Sequence, residues 1–505
     1  MQRNFQKSIA TLGYDKSNSL VFVSLAIIIL LRILFTGLMG LMPQDAYYFF
    51  YSENLALSYF DHPPAVAYML RFFTVIFGQN AFAIKFADFT ITALTILSFY
   101  SLSQHFVKKE DLSKPLLLLI STFMVTILSL ITTPDVPLLF FWTLSVLSLY
   151  KAIILNKKWH WLLAGLCMGL AFDSKYTALL LPFGLTLFLI VSANYRKLLF
   201  SVWYWLSALI FLMTISPVVI WNIQNKFASF KFQSSSRAES VQGFDINIKY
   251  FFGVIGHQAA ILIPILFFGL LIFLFKAIKK NRLRIKLIQP PTLFLLCFFL
   301  PTFFLFFGAS FFIWVKLNWL MPAYITGIIW VSRYFSYKWI RMQVIVSVII
   351  HLVLAFQLIF YPYPVQSDDT WYGWKDLSQQ VETIHSKHPD AFIFSADGYK
   401  TSAILDFYLN EKIYHPNVIG EVALQMDYLP NDIPTLAGKE AIFLDSSPRF
   451  SDEERSGIIP DKLLSYFSSV EELAPILIKR NGKTVRKFFV YLCKNYHPEK
   501  VLTVN

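Results

Sequence analysis

Apolar residues fall in long runs over the greater part of the chain, at 20–42, 83–104, 115–131, 135–152, 159–172, 176–193, 198–221, 250–275, 290–313, 317–333 and 342–361. The first run is broken only by Arg32. At about 1.5 Å per residue it is long enough to cross a hydrocarbon layer of roughly 30 Å. Each run predicts a membrane-crossing helix. After Tyr361-Pro362-Tyr363-Pro364 the pattern changes: residues 365–505 mix polar and apolar positions, with strand-like runs AFIFSA (391–396), AIFLDSS (441–447) and FFVYLCK (488–494). A helical pattern at Leu377–His385 lies among them. That combination predicts one small α/β domain behind a proline-stiffened linker. The expected fold class is a polytopic α-helical membrane protein of about 11 to 13 spans. Residues 1–363 would form the membrane part and 364–505 a soluble α/β domain on the outer face.

Composition agrees: 56% of the residues are hydrophobic and 15% charged, so the chain cannot be an ordinary soluble domain. The net charge of +13 would suggest nucleic acid in a soluble protein, but here its placement decides. Arg3, Lys7 and Lys16, then Lys108, Lys109 and Lys114, Lys157 and Lys158, Arg196 and Lys197, the run Lys276–Lys286, and Arg333, Lys338 and Arg341 all fall on one side of the predicted crossings. The opposite loops carry few basic residues: none in 43–64, Lys175 and Lys316 at two tight turns, and a scatter across 222–249. By the positive-inside rule the N-terminus is cytoplasmic, and an odd number of spans puts the C-terminal domain outside. The basic residues are topological anchors, and no nucleic-acid partner is expected. The first run is too long for a signal peptide and lacks a small-residue cleavage pattern, so it reads as an uncleaved span.

Several chemistries are excluded. Gly482-Lys483-Thr484 has Leu477 where a phosphate-cradling loop needs glycine, and there is no GxSxG, HExxH or CxxC. Cys167 and Cys297 lie in apolar runs and Cys493 stands alone outside, so no disulfide joins the outer domain. The stretch 43–82 carries Asp45 and Asp61, with His62 and several tyrosines directly after a span. Ionisable groups beside lipid are costly, which makes this cluster the candidate site.

The residues of this stretch, QDAYYFFYSENLALSYFDHPP, resemble the first outer loop of GT-C integral-membrane glycosyltransferases. That group includes the dolichyl-phosphate-mannose protein mannosyltransferases and the aminoarabinose transferase of lipid A. Further similar motifs follow in order: TPDVPLLFFW (133–142), GLAFDSKYT (169–177), KLNW (316–319) with Pro322-Ala323-Tyr324, GWKDL (373–377) and ADGY (396–399). The resemblance implies a polyprenyl-phosphate sugar as donor. The acceptor would be lipid A or another envelope glycolipid, with protein as the second choice, and membrane lipids would be partners throughout. The enzyme would sit in a bacterial cytoplasmic membrane, with its site on the periplasmic side.

The leaving group of such a transfer is an anionic phosphate, which needs positive charge more than a proton donor. Lys175, Lys316, Arg237 and His257 are the outward candidates. Asp45 matches the loop acid that faces the reacting centre and is the natural general base for a hydroxyl acceptor. Many similar loops carry Asp-Glu where this chain has Gln44-Asp45, leaving one carboxylate where two are common. Asp61 and His62 match a metal-binding or phosphate-binding pair, so a divalent ion is the one cofactor considered. Asp135 would contact the sugar or cap a helix. Tyr47, Tyr48, Tyr59, Asn318, Trp319 and Tyr324 would line the sugar or prenyl groove. The polar loop 222–249 is expected to form a lid, with Lys226, Lys231 and Arg237 reaching toward phosphate. The reading from another class is a transporter or flippase for lipid-linked sugars, and a third is a catalytically silent scaffold.

Overall fold

The computed structural model describes residues 16–238, 246–281, 284–409, 411–430, 432–449 and 456–498. Among these, five helices are long and apolar enough to cross a membrane, or eight crossings if each of three bent helix pairs is one span. The helices in chain order begin with α1 (Lys16–Leu38), α2 (Pro43–Glu53), α3 (Ala65–Phe77), α4 (Ala81–Ser103), α5 (Ser113–Ile120), α6 (Phe123–Leu130) and α7 (Asp135–Ile153). They continue with α8 (His160–Phe172), α9 (Leu180–Val191), α10 (Val202–Gln224), α11 (Ala228–Ala238), α12 (Ile248–Leu262), α13 (Pro264–Asn281), α14 (Pro290–Ala309), α15 (Met321–Ser332) and α16 (Tyr337–Phe360). The apolar runs at 159–172, 176–193 and 317–333 form helices of only 10–17 residues. At about 1.5 Å per residue these do not reach across roughly 30 Å on their own.

Three expectations are corrected. The stretch 43–82 is not a loop, because α2 and α3 occupy most of it. Proline at the first helical position and Asp45, whose Oδ2 accepts from the Met42 backbone N–H at 2.7 Å, start α2. The run 250–275 is not one straight span either. It turns by 115° between α12 and α13, where Ile263 has φ 68° and Pro264 lacks the N–H that would continue the helix. Finally, the polar segment 222–249 is largely helical: α10 runs to Gln224 and α11 follows, while residues 239–245 lie outside the described residues.

Arg32 explains a charge inside an apolar run. It is buried in α1, and its guanidinium donates to Ile120 O (2.7 Å), Thr122 O (3.0 Å) and Thr126 Oγ1 (2.9 Å). It thereby satisfies backbone carbonyls that the 59° break between α5 and α6 leaves open.

After α16 come α17 (Trp374–His385), β1 (Phe392–Ser395), α18 (Lys400–Leu409), β2 (Ala441–Ser447), α19 (Asp461–Tyr466), β3 (Phe467–Arg480) and β4 (Lys483–Tyr496). The sheet order is β1-β2-β4-β3, with β1 and β2 parallel and the other pairs antiparallel. Arg486 of β4 is buried, stacks 3.9 Å from the Trp374 ring centre and donates to Asp368 Oδ1 at 2.7 Å. It ties the segment after α16 to the sheet. α18 packs on α2, so the C-terminal domain sits directly on the stretch that carries Asp45 and Asp61.

Candidate functional site

Asp45 faces inward from the first turn of α2 and is fully buried. Its Oδ1 accepts from the Thr132 backbone N–H at 2.7 Å, and its Oδ2 takes the Met42 N–H and the ammonium of Lys85. Lys85, itself buried, also donates to Leu130 O, and Asp88 one turn along α4 accepts from the Thr132 hydroxyl at 2.7 Å. The expected general base therefore has both oxygens engaged in a closed ion pair. In this geometry Asp45 locks α2 to α4 and to the loop before α7.

Asp61 follows α2 in a short turn and meets a ladder of tyrosines that the helical spacing of 47, 48 and 51 lays on one face. The Tyr51 hydroxyl donates to Asp61 Oδ1 and lies 2.8 Å from that of Tyr47. The Tyr51 and Tyr59 rings stack at 4.1 Å, and His62 stands 6.1 Å from the Tyr48 ring. From above, Gln233 of α11 donates to Asp61 O at 2.5 Å and Phe232 packs on Phe60 at 4.6 Å. Burial raises the pKa of the Asp61 carboxyl, while the hydroxyls of Tyr51 and Tyr47 and the positive charge of Lys316 pull it back.

The third element joins α7, the turn after α8 and the turn before α15. Lys175 Nζ binds both oxygens of Asp135, at 2.8 and 2.9 Å, and Asn318 Nδ2 donates to Oδ2. Asp135 makes no capping hydrogen bond to its own helix and is the partner of a buried lysine. Lys175 is correspondingly committed to Asp135. Lys316 is exposed, and its charge acts on Asp61. Tyr324 is buried and donates to Gln258 at 2.8 Å, which in turn donates to Leu317 O at 3.1 Å. It supports the turn carrying Lys316 from below. Trp319 packs on Phe306 at 5.3 Å, and His257 lies edge-on to Trp314 at 5.1 Å. The side chain of Arg237 lies outside the described residues.

Comparison with known proteins follows the same outline. Residues 61–221 match the family described as dolichyl-phosphate-mannose-protein mannosyltransferase. The ArnT structure from Cupriavidus metallidurans bound to undecaprenyl phosphate superposes with a TM-score of 0.60 at 13% identity, covering 93% of this chain and 97% of that one. The chain shares the fold of that structure. The oligosaccharyltransferase of Archaeoglobus fulgidus is a more distant neighbour, with a TM-score of 0.50 at 13% identity over 84% of this chain and 67% of that one. In sequence, the chain is 26% identical over 335 residues to the lipid A galacturonosyltransferase RgtD of Rhizobium johnstonii, covering 63% of this chain and 66% of that protein. It is 29% identical over 152 residues to the undecaprenyl phosphate-alpha-4-amino-4-deoxy-L-arabinose arabinosyl transferase of Pseudomonas aeruginosa, covering 29% of this chain and 28% of that protein. Both alignments span less than two thirds of the relative's length.

The family match includes Asp61, His62, Asp135 and Lys175 and leaves Asp45, Lys316 and the C-terminal domain outside it. Asp61 and His62 supply two adjacent donors, and one Asp61 oxygen already accepts from Tyr51. Among the described residues no three His, Cys, Asp or Glu side chains gather to hold an ion. Sequence reasoning missed Lys85, Asp88, Gln233 and Tyr399. Lys85 and Asp88 were visible as two charges three residues apart in an apolar run, whereas Tyr399, whose ring lies 4.2 Å from that of Tyr47, needed the docking of the C-terminal domain.

Proposed function

We propose that this protein transfers a sugar from a polyprenyl phosphate to lipid A or another envelope glycolipid, in the cytoplasmic membrane of a bacterium. The N-terminus is cytoplasmic, and the site with its α/β domain faces the periplasm, as the basic side of the crossings requires. The observation that carries this reading is the cluster of Asp61, Tyr47, Tyr51 and Lys316 at the foot of the C-terminal domain, in a fold shared with a structure that holds undecaprenyl phosphate. A transporter would instead gather its polar groups near mid-membrane.

Lys316 is the cation for the departing phosphate: it is exposed at a helix-connecting turn and its field reaches Asp61. Asp61 stabilises the positive charge that develops on the sugar ring as the bond to phosphate breaks, an electrostatic role for a fixed carboxylate. The acceptor approaches through a cavity of about 1170 Å³ between α2 and the C-terminal domain, walled by Phe49, Phe50, Phe60, Phe407 and Tyr428. Phe60 brings this cavity next to Asp61. The donor half is tested by binding of undecaprenyl phosphate to the purified full-length protein. Lys316→Ala is expected to weaken binding by about tenfold or more, as loss of a charge-assisted contact of roughly 1.5–3 kcal/mol requires. Unchanged affinity would remove Lys316 from the phosphate site.

A further inference from the structure

The cavity between α2 and the C-terminal domain carries charge of one sign. Six carboxylates line it, those of Glu53, Asp406, Glu411, Glu421, Asp427 and Asp432, and Lys412 is the only lysine or arginine among the described lining residues. Three of the acids are neutralised: Glu53 by Arg71 at 2.8 Å, Glu421 by Lys462 at 2.8 Å and Asp432 by Lys412. Lys412 is thereby committed, while Asp406 and Asp427 are met by the backbone N–H groups of Ile413 and Ala423, and Glu411 by the His385 ring at 3.2 Å.

Two side chains on this wall keep an open polar atom. His415 is only 7% exposed yet lines the cavity; its Nδ1 lies 2.7 Å from the Ser402 hydroxyl, and Nε2 has no partner among the described residues. Burial, with the charge of Lys412, pushes this imidazole down to about 3, so the ring is neutral. One turn along α18 from Ser402, Asp406 Oδ1 takes only a long bond of 3.5 Å from Ile413 N–H, and Oδ2 has no partner among the described residues. Burial raises the Asp406 carboxyl to about 6, which leaves it mostly ionised at neutral pH. Phe50 stands edge-on to His415 at 6.1 Å and Phe407 edge-on to Phe49 at 5.1 Å. A neutral imidazole, an open carboxylate oxygen and aromatic rings suit the hydroxyls and C–H faces of a sugar. A phosphate brought here would meet like charge, the repulsive element by which a site rejects a competing partner.

We propose that the acceptor enters this cavity with an unphosphorylated sugar, its hydroxyls held by Asp406 and His415, and that the acidic lining rejects the phosphate-bearing form of the same glycolipid. This rests on the transferase reading above and narrows its acceptor to a chemical class.

The test is binding to the purified full-length protein in detergent with two probes, phosphorylated lipid A and the same lipid A after phosphatase treatment. The wild type is expected to bind the treated lipid at least tenfold more tightly. Asp406→Ala is expected to weaken binding of the treated lipid about tenfold, as loss of a hydrogen bond to a charged group requires, and to leave the phosphorylated lipid bound no more weakly than before. Asp406→Lys puts a cation where the open oxygen stood and is expected to tighten the phosphorylated lipid at least tenfold, a gain that a damaged fold does not give. Equal binding of the two lipids by the wild type, or Asp406 variants that weaken both alike, would overturn the inference. Undecaprenyl phosphate separates this from failure of the transferase reading. A wild type that binds neither it nor either lipid overturns both, whereas one that binds it and prefers the phosphorylated lipid, or takes neither lipid, overturns only this inference.

Discussion

Replacing Asp45 by Asn, or Lys85 by Met, is expected to destabilise the purified protein by about 3–5 kcal/mol, because each leaves the other charge buried without its partner. The side chains are 0% and 3% exposed. The double variant is expected to recover a large part of the loss, since it removes both charges at once and Asn still accepts one of the two backbone N–H groups that Asp45 holds. Thermal unfolding of the three variants in one detergent checks this. If Asp45 were instead the base, Asp45→Asn would unfold like the wild type and fail only in transfer.

The second large effect is at Asp61. Asp61→Asn is expected to lower turnover by about 10²–10³-fold, the usual loss when a fixed group that stabilises transition-state charge is removed. The sign of its pH dependence follows from its surroundings. Burial holds the Asp61 carboxyl above the ordinary carboxylate range, and the ionised form is the active one. Activity should therefore rise with pH through that raised value, giving an acid limb at higher pH than an ordinary aspartate gives. The limb should vanish in Asp61→Asn, leaving a low rate that is flat over the same range. For stability the sign is opposite: a raised carboxyl favours the protonated folded state, so its contribution is lost as pH rises through the folded value. A pH–rate profile and a pH–stability profile on the same preparation separate the two.

The helical membrane class, the C-terminal α/β domain and the GT-C resemblance were legible because they rest on long-range composition and on motifs that are contiguous in sequence. The 115° turn at Ile263-Pro264 was hidden inside a continuous apolar run, since hydropathy does not register backbone direction. Asp45 was misplaced for a related reason. A carboxylate directly after a span looks outward on a hydropathy plot, and only the capping of Met42 and the lysine at position 85 show that it turns in. Lys175 was read as a phosphate ligand because its partner Asp135 lies forty residues away, in another motif. Asp368 and Asp369 are adjacent acids in the sequence, and only the fold shows that Arg486 takes one and Gln44 the other.

The most direct measurement is a comparison of lipid A and the other envelope lipids, by mass, from cells with the wild-type chain, with Asp61→Asn, and without the gene. A sugar mass present with the wild-type chain and lost in the other two is the result expected of a transferase with its site at Asp61. Identical lipid profiles in all three would contradict it.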